Sequence, residues 1–248
     1  MKKHIASILF LFLLSTFQLI AQSHSVKRLG IEQGLSNNYV VSITQDKQGF
    51  LWFATEEGLN KFDGTRFTTY YKNDLTQDNQ GITGNELNRV YADTKHPIIW
   101  IATQRDGLNA YNYNEQTFTA YQHNPENPHS LITNDVTDIA PSTQHDDGLW
   151  ISTYYRGIEY LDITSGQFTH YNKSTVPSLP CDQTWTVLDG GDGNLYIGHV
   201  GSGFSIFSPK DKSVKNFRNE AGNPMSLPGN DVFCIIKDAN GNIWLGTN

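Results

Sequence analysis

Apolar and polar residues along this chain fall into short β-branched and aromatic runs broken by Gly, Asp and Asn, a pattern that predicts strands. Five such runs stand in phase: Tyr39-Val40-Val41-Ser42-Ile43, Arg89-Val90-Tyr91, Asp135-Val136-Thr137-Asp138-Ile139, Trp185-Thr186-Val187-Leu188 and Val232-Phe233-Cys234-Ile235-Ile236. Each leads through a short turn, seen best in Asp46-Lys47-Gln48-Gly49 and Asp238-Ala239-Asn240-Gly241-Asn242. There Asp caps the turn and Gly supplies the positive φ that a hairpin needs. A landmark follows as a second strand: Trp52-Phe53-Ala54-Thr55, Trp100-Ile101-Ala102-Thr103, Trp150-Ile151-Ser152-Thr153, Tyr196-Ile197-Gly198-His199 and Trp244-Leu245-Gly246-Thr247. Third strands open on glycine at Gly58, Gly107, Gly157 and Gly203. Fourth strands are expected at Phe67-Thr68-Thr69-Tyr70, Phe118-Thr119-Ala120-Tyr121, Phe168-Thr169-His170-Tyr171 and Val214-Lys215-Asn216-Phe217.

The landmarks are spaced by 48, 50, 46 and 48 residues, the length of a four-stranded propeller blade. The expected fold is therefore all-β, a β-propeller of four-stranded antiparallel blades at roughly 35–81, 82–130, 131–177 and 178–225, with a partial fifth blade at 226–248. A closed four-blade ring has no use for a surplus hairpin, so the chain is expected to be the front of a larger, seven-bladed ring. Residues 22–34 would then hold a closing strand, Val26-Lys27-Arg28-Leu29, and a linker.

At the start, Lys2 and Lys3 precede an apolar run from Ile5 to Phe17, and Leu19-Ile20-Ala21 offers a small residue for cleavage near Ala21. Polar interruptions leave it short of the roughly 20 apolar residues of a spanning helix, so residues 1–21 are expected to be a secretory signal. Cleavage there takes two lysines and no acids, which moves the net charge from −7 to −9. No basic stripe remains to neutralise phosphates, and nucleic acid is not an expected partner. Cys181 and Cys234 sit at different points of their repeats and are expected to be buried free thiols.

Stretches such as Asp46 through Gly64 and Asp238 through Thr247 resemble the two-component regulator propeller repeat, and Gly34-Leu35-Ser36-Asn37-Asn38 is similar to the first periplasmic blade of hybrid two-component sensors of Bacteroidetes-type bacteria. The resemblance implies a periplasmic, glycan-sensing region. In the complete protein it would be followed by further blades, an immunoglobulin-like domain, a membrane helix, a histidine kinase, a receiver and usually a DNA-binding module. It also implies a homodimer in that complete protein. No kinase or receiver residue lies in this chain, and no catalytic residue, metal or cofactor is expected.

A ligand is expected on the face where the lead-ins to the first strands and the loops joining second to third strands converge. The lead-in residues Asn38, Asn85, Asn134, Asp182 and Asn230 recur in phase, which points to capping of the turn into the first strand. The second-to-third loops instead differ between blades: Glu56-Glu57, Gln104-Arg105-Asp106, Tyr154-Tyr155-Arg156 and Val200-Gly201-Ser202. Candidate contacts for an oligosaccharide are Tyr154, Tyr155, Arg156, Arg105, Asp106, Glu57, Asn38 and Trp185, with rings for sugar faces and guanidinium forks for acidic groups. The alternative is a secreted carbohydrate-active propeller, a lyase or glycoside hydrolase using acids such as Glu56, Glu57 and Asp106, which requires two carboxylates about 5 to 10 Å apart. The eight histidines form no metal-binding pair, and Asp189-Gly190-Gly191-Asp192-Gly193-Asn194 reads as a hairpin turn, not a calcium loop.

Overall fold

A computed structural model of the chain describes residues 26–73 and 81–248; the expected signal segment lies outside the described residues. After a short 3-10 turn at Ile31–Gln33, eighteen strands follow in order. Blade 1 comprises β1 (Val40–Gln45), β2 (Leu51–Thr55), β3 (Gly58–Phe62) and β4 (Phe67–Tyr70). Blade 2 comprises β5 (Leu87–Ala92), β6 (Ile98–Thr103), β7 (Leu108–Asn112) and β8 (Thr117–Tyr121). Blade 3 comprises β9 (Val136–Pro141), β10 (Gly148–Thr153), β11 (Gly157–Asp162) and β12 (Gln167–Tyr171). Blade 4 comprises β13 (Thr184–Asp189), β14 (Leu195–His199), β15 (Phe204–Phe207) and β16 (Val214–Phe217), and β17 (Val232–Lys237) with β18 (Ile243–Thr247) forms a fifth, two-stranded sheet. Every pairing among these strands is antiparallel and joins consecutive strands; outside them, Lys72 and Ile82 form a single parallel bridge. Residues 26–29, the expected closing strand, form no strand, and Val26 is exposed.

The core lies between blades. Trp52, Ala54 and Leu59 of blade 1 pack with Val90, Ile101 and Tyr111 of blade 2; Trp100, Ala102 and Leu108 pack with Ile139, Leu149 and Phe168 of blade 3; Trp150 and Ile158 pack with Val187, Ile197 and Phe207 of blade 4. Each of the sheets of blades 2, 3 and 4 thus buries both faces against its neighbours, which is why their landmark strands read as nearly continuous apolar runs. The outer faces of the described array show the same contact from its uncovered sides. Ile43, at the register position of the 2% exposed Val90, is 58% exposed. Trp244 is 60% exposed where Trp52 is fully buried.

The glycines that open third strands have positive φ at Gly58, Gly107, Gly157 and Gly203. A β-carbon there would also meet the carbonyl oxygen of the adjacent outer strand's last residue, Tyr70, Tyr121, Tyr171 or Phe217. Both constraints demand glycine. Polar side chains in the next layer fix the crossover: Asn60 Oδ1 accepts from the Ser36 amide, Asn109 Oδ1 from Thr83, and Glu159 Oε1 from Ile132. The two cysteines are unpaired, but they are not buried as expected. Cys181 is half-buried and Cys234 exposed, because Cys234 occupies the first-strand position that reaches toward a following blade.

Candidate functional site

The recurrent lead-in residues do something other than cap the turn into the first strand. Each side-chain oxygen accepts the amide two residues past the preceding outer strand: Lys72 to Asn85 at 2.6 Å, His123 to Asn134 and Lys173 to Asp182 at 2.7 Å, and Asn219 to Asn230 at 2.9 Å. Their backbone carbonyls accept the amides of Gly58, Gly107, Gly157 and Gly203. One residue therefore closes the crossover and staples it to the second-to-third loop of the blade before. The requirement for a short acceptor side chain explains why Asn and Asp alternate at this position. Asn38 follows suit, accepting the Ile31 amide at 3.1 Å.

The stapled loops form a rim, and a second device fills its interior. In each first strand the register slips by one residue, leaving a bulge. The residues passed over are Val41, Asn88, Thr137, Trp185 and Phe233, so one position per blade is released from ladder pairing and differs in chemistry every time. Asn88, Thr137 and Trp185 line a cleft of about 350 Å³ together with Gln104, Arg105, Asp135, Tyr154 and Tyr155.

Four of the sequence-derived candidates, Arg105, Tyr154, Tyr155 and Trp185, meet in this cleft. The others do not line it. Asn38 is held by the crossover, Asp106 faces Lys72 at 3.6 Å, and Glu57 and Arg156 are exposed on their loops, their amides held by Thr55 and Thr153 hydroxyls. Asn88, Thr137 and Asp135 escaped the sequence reading because a bulge leaves no mark on hydrophobic alternation. The variation among the five bulge positions was the available signal.

Aromatic rings run around the wall in edge contacts, Tyr155 to Tyr154 at 4.1 Å between centroids, Tyr154 to Trp185 at 5.9 Å and Trp185 to Phe233 at 5.6 Å. Hydrogen bonding to Tyr154 pushes the Tyr155 hydroxyl up from its ordinary pKa. Against this apolar arc stand the amides of Asn88 and Gln104, the Arg105 guanidinium and the Asp135 carboxylate. An amphipathic cleft of this kind suits a ligand with apolar faces and polar edges. Beside it, the Asp138 carboxylate is bound by Arg89 Nε at 2.9 Å and the Thr186 hydroxyl at 2.6 Å. Burial pushes the Asp138 carboxyl up, while Arg89 and the hydrogen bonds oppose the rise. This trio joins first strands of blades 2, 3 and 4 beneath the site.

Residues 34–57 and 226–248 match the two component regulator propeller family. A solved structure described as the extracellular domain of a hybrid two component system, BT3049 of B. thetaiotaomicron, is 69% identical with a TM-score of 0.83, over 89% of this chain and 29% of that one. The extracellular domain of BT4673 from the same organism, at 23% identity and a TM-score of 0.70 over 90% of this chain and 31% of that one, shares the fold. Histidine kinase P4 of Formosa agariphila is 42% identical over 66 residues, 27% of this chain and 5% of that protein. The chain therefore spans less than a third of each of these relatives.

Proposed function

We propose that this chain, whose repeats are those of the two-component regulator propeller family, is a periplasmic ligand-sensing region that detects glycan oligosaccharides and, within a complete sensor, controls a histidine kinase. The likeness to extracellular domains of two-component systems supports a sensor propeller; the glycan assignment rests on the cleft. The observation that carries it is the meeting of Arg105, Tyr154, Tyr155 and Trp185 where the loops and bulge positions vary from blade to blade. Aromatic rings take the apolar faces of sugars, while Asn88, Gln104 and Arg105 offer donors to hydroxyl or acidic groups. Sensing needs selective binding and no turnover, a task that blade-to-blade variation on a rigid ring performs without catalytic acids.

Calorimetric titration of the complete extracellular region against a panel of oligosaccharides is expected to find a binder. Trp185→Ala or Arg105→Ala should weaken it by about 1 to 3 kcal/mol, the usual size of a truncated central contact. Binding indifferent to both substitutions would move the ligand elsewhere, and cleavage of the bound glycan would favour a carbohydrate-active enzyme.

A further inference from the structure

The face opposite the funnel carries the turns between first and second strands, and there one blade departs from the others. In blades 1, 2 and 5 the landmark indole donates to the aspartate that opens the turn: Trp52 to Asp46 at 2.8 Å, Trp100 to Asp93 at 3.2 Å and Trp244 to Asp238 at 3.0 Å. The other carboxylate oxygen caps the turn, accepting the Gln48 and Phe50 amides in blade 1 and the Lys95 and His96 amides in blade 2. Blade 4 has neither partner, with Gly190 at the aspartate position and Tyr196 as landmark, whose hydroxyl donates to Asp192.

Blade 3 keeps the tryptophan and changes only the acceptor. Ser142 stands at the aspartate position, and its hydroxyl accepts the Gln144 and His145 amides at 3.3 and 3.2 Å. The turn cap is preserved, but serine is too short to serve the indole as well. Trp150 is 6% exposed, and among the described residues its Nε1 has no acceptor. An unmet buried donor of this kind costs on the order of 1 to 3 kcal/mol.

Trp150 and Ser142 line a cleft of about 470 Å³ between blades 3 and 4, with Leu195, Pro209, Asp189 and Asp192 among its walls. We propose that this cleft binds a neutral carbonyl group of the acetamido class, as carried by N-acetylated sugars, its oxygen taking the place that a carboxylate oxygen holds in blades 1 and 2. Two donors are unspent at that place: the indole N–H, and the Ser142 proton, whose oxygen is already used by the turn amides. Together they match the two lone pairs of one carbonyl oxygen. A carboxylate would bring more acceptor sites than there are donors at that place, and its charge would stand against two carboxylates, Asp189 and Asp192, with the single Lys210 ammonium as counter-charge in the same cleft. Those two aspartates are engaged by Thr143 and Gly191 and by Asn194 and Tyr196. Leu195 and Pro209 supply an apolar wall for the acetamido methyl. The site is separate from the funnel and does not depend on what binds there.

The test follows the Trp150 indole N–H resonance in the isotope-labelled protein, assigned by its loss in Trp150→Phe, during titration with N-acetylglucosamine, glucose and acetate. A shift with N-acetylglucosamine and none with glucose is expected. In Ser142→Asp the carboxylate should occupy the acceptor place, weakening the response about tenfold or more, the weight of one buried hydrogen bond, while raising the unfolding midpoint. A response to acetate without one to N-acetylglucosamine would overturn the neutral-carbonyl assignment. Silence of the resonance to all three would show that water alone serves the indole and would overturn the site.

Discussion

Single residues in this chain divide into those that repeat because the frame needs them and those that break step. The Asx staple belongs to the first kind. Asn134 binds the His123 amide through its side chain and the Gly107 amide through its carbonyl. Asn134→Ala removes only the first, handing an exposed amide back to water, and should cost about 0.5 to 1.5 kcal/mol by chemical denaturation; Asn134→Asp should be nearly neutral, because Asp182 performs the same task in blade 4. His199 belongs to the second kind, standing where Thr55, Thr103 and Thr153 close their loops onto a glycine carbonyl. It is buried, contacts the Ser205 hydroxyl at 2.8 Å, and burial pushes its pKa from 6.5 to about 4. The unfolded chain takes up this proton near pH 6.5 and the folded chain only near 4. Stability present above pH 6.5 is therefore lost as pH falls through that window, by about 3 kcal/mol in total. Denaturation curves between pH 7 and 4 should show that loss, and His199→Thr should flatten it; parallel curves for the two proteins would remove His199 as its cause.

At the scale of elements, the second strand is the centre of each blade and its tryptophan the centre of the strand. Trp100 is fully buried, lies 5.9 Å from Tyr121 and packs against blade 3 through Leu149 and Phe168. Trp100→Ala should cost about 3 to 5 kcal/mol, since it opens a cavity between two sheets that cannot close without moving both. A loss below about 1 kcal/mol in a denaturant titration would contradict inter-blade packing. The first strands contribute differently. Their ladders are interrupted at the bulge, so they give up one pairing each and in return present Asn88, Thr137 and Trp185 to the cleft. The number and order of strands in each blade, the turns and the glycine positions were legible in the sequence, because alternation, Asp-Gly turns and positive φ are local requirements; strand ends were not, as β5 at Leu87–Ala92 runs past the expected Arg89-Val90-Tyr91 on both sides. The bulges were not, since slipping one residue changes neither composition nor periodicity.

For the whole molecule, blades are coupled by hydrogen bonds between residues about one repeat apart, as well as by apolar packing. Ser42 contacts Val90, Thr44 the Ala92 amide, Asn88 the Val136 carbonyl and Thr186 the Asp138 carboxylate. Such contacts make a ring stiff near its centre and leave variation to the loops above. By itself the sequence determined the repeat, the four-stranded blade and the packing role of the tryptophans, because each follows from spacing along the chain. Only the tertiary structure decided which candidates meet: Arg105, Tyr154, Tyr155 and Trp185 converge, while Asn38, Glu57, Asp106 and Arg156 turn to other work. It alone revealed that Ser142 leaves Trp150 unsatisfied. The physical reason is common to both. Spacing fixes what a residue does within its own blade, whereas side-chain partners across a junction depend on register, bulges and reach, which three-dimensional packing sets.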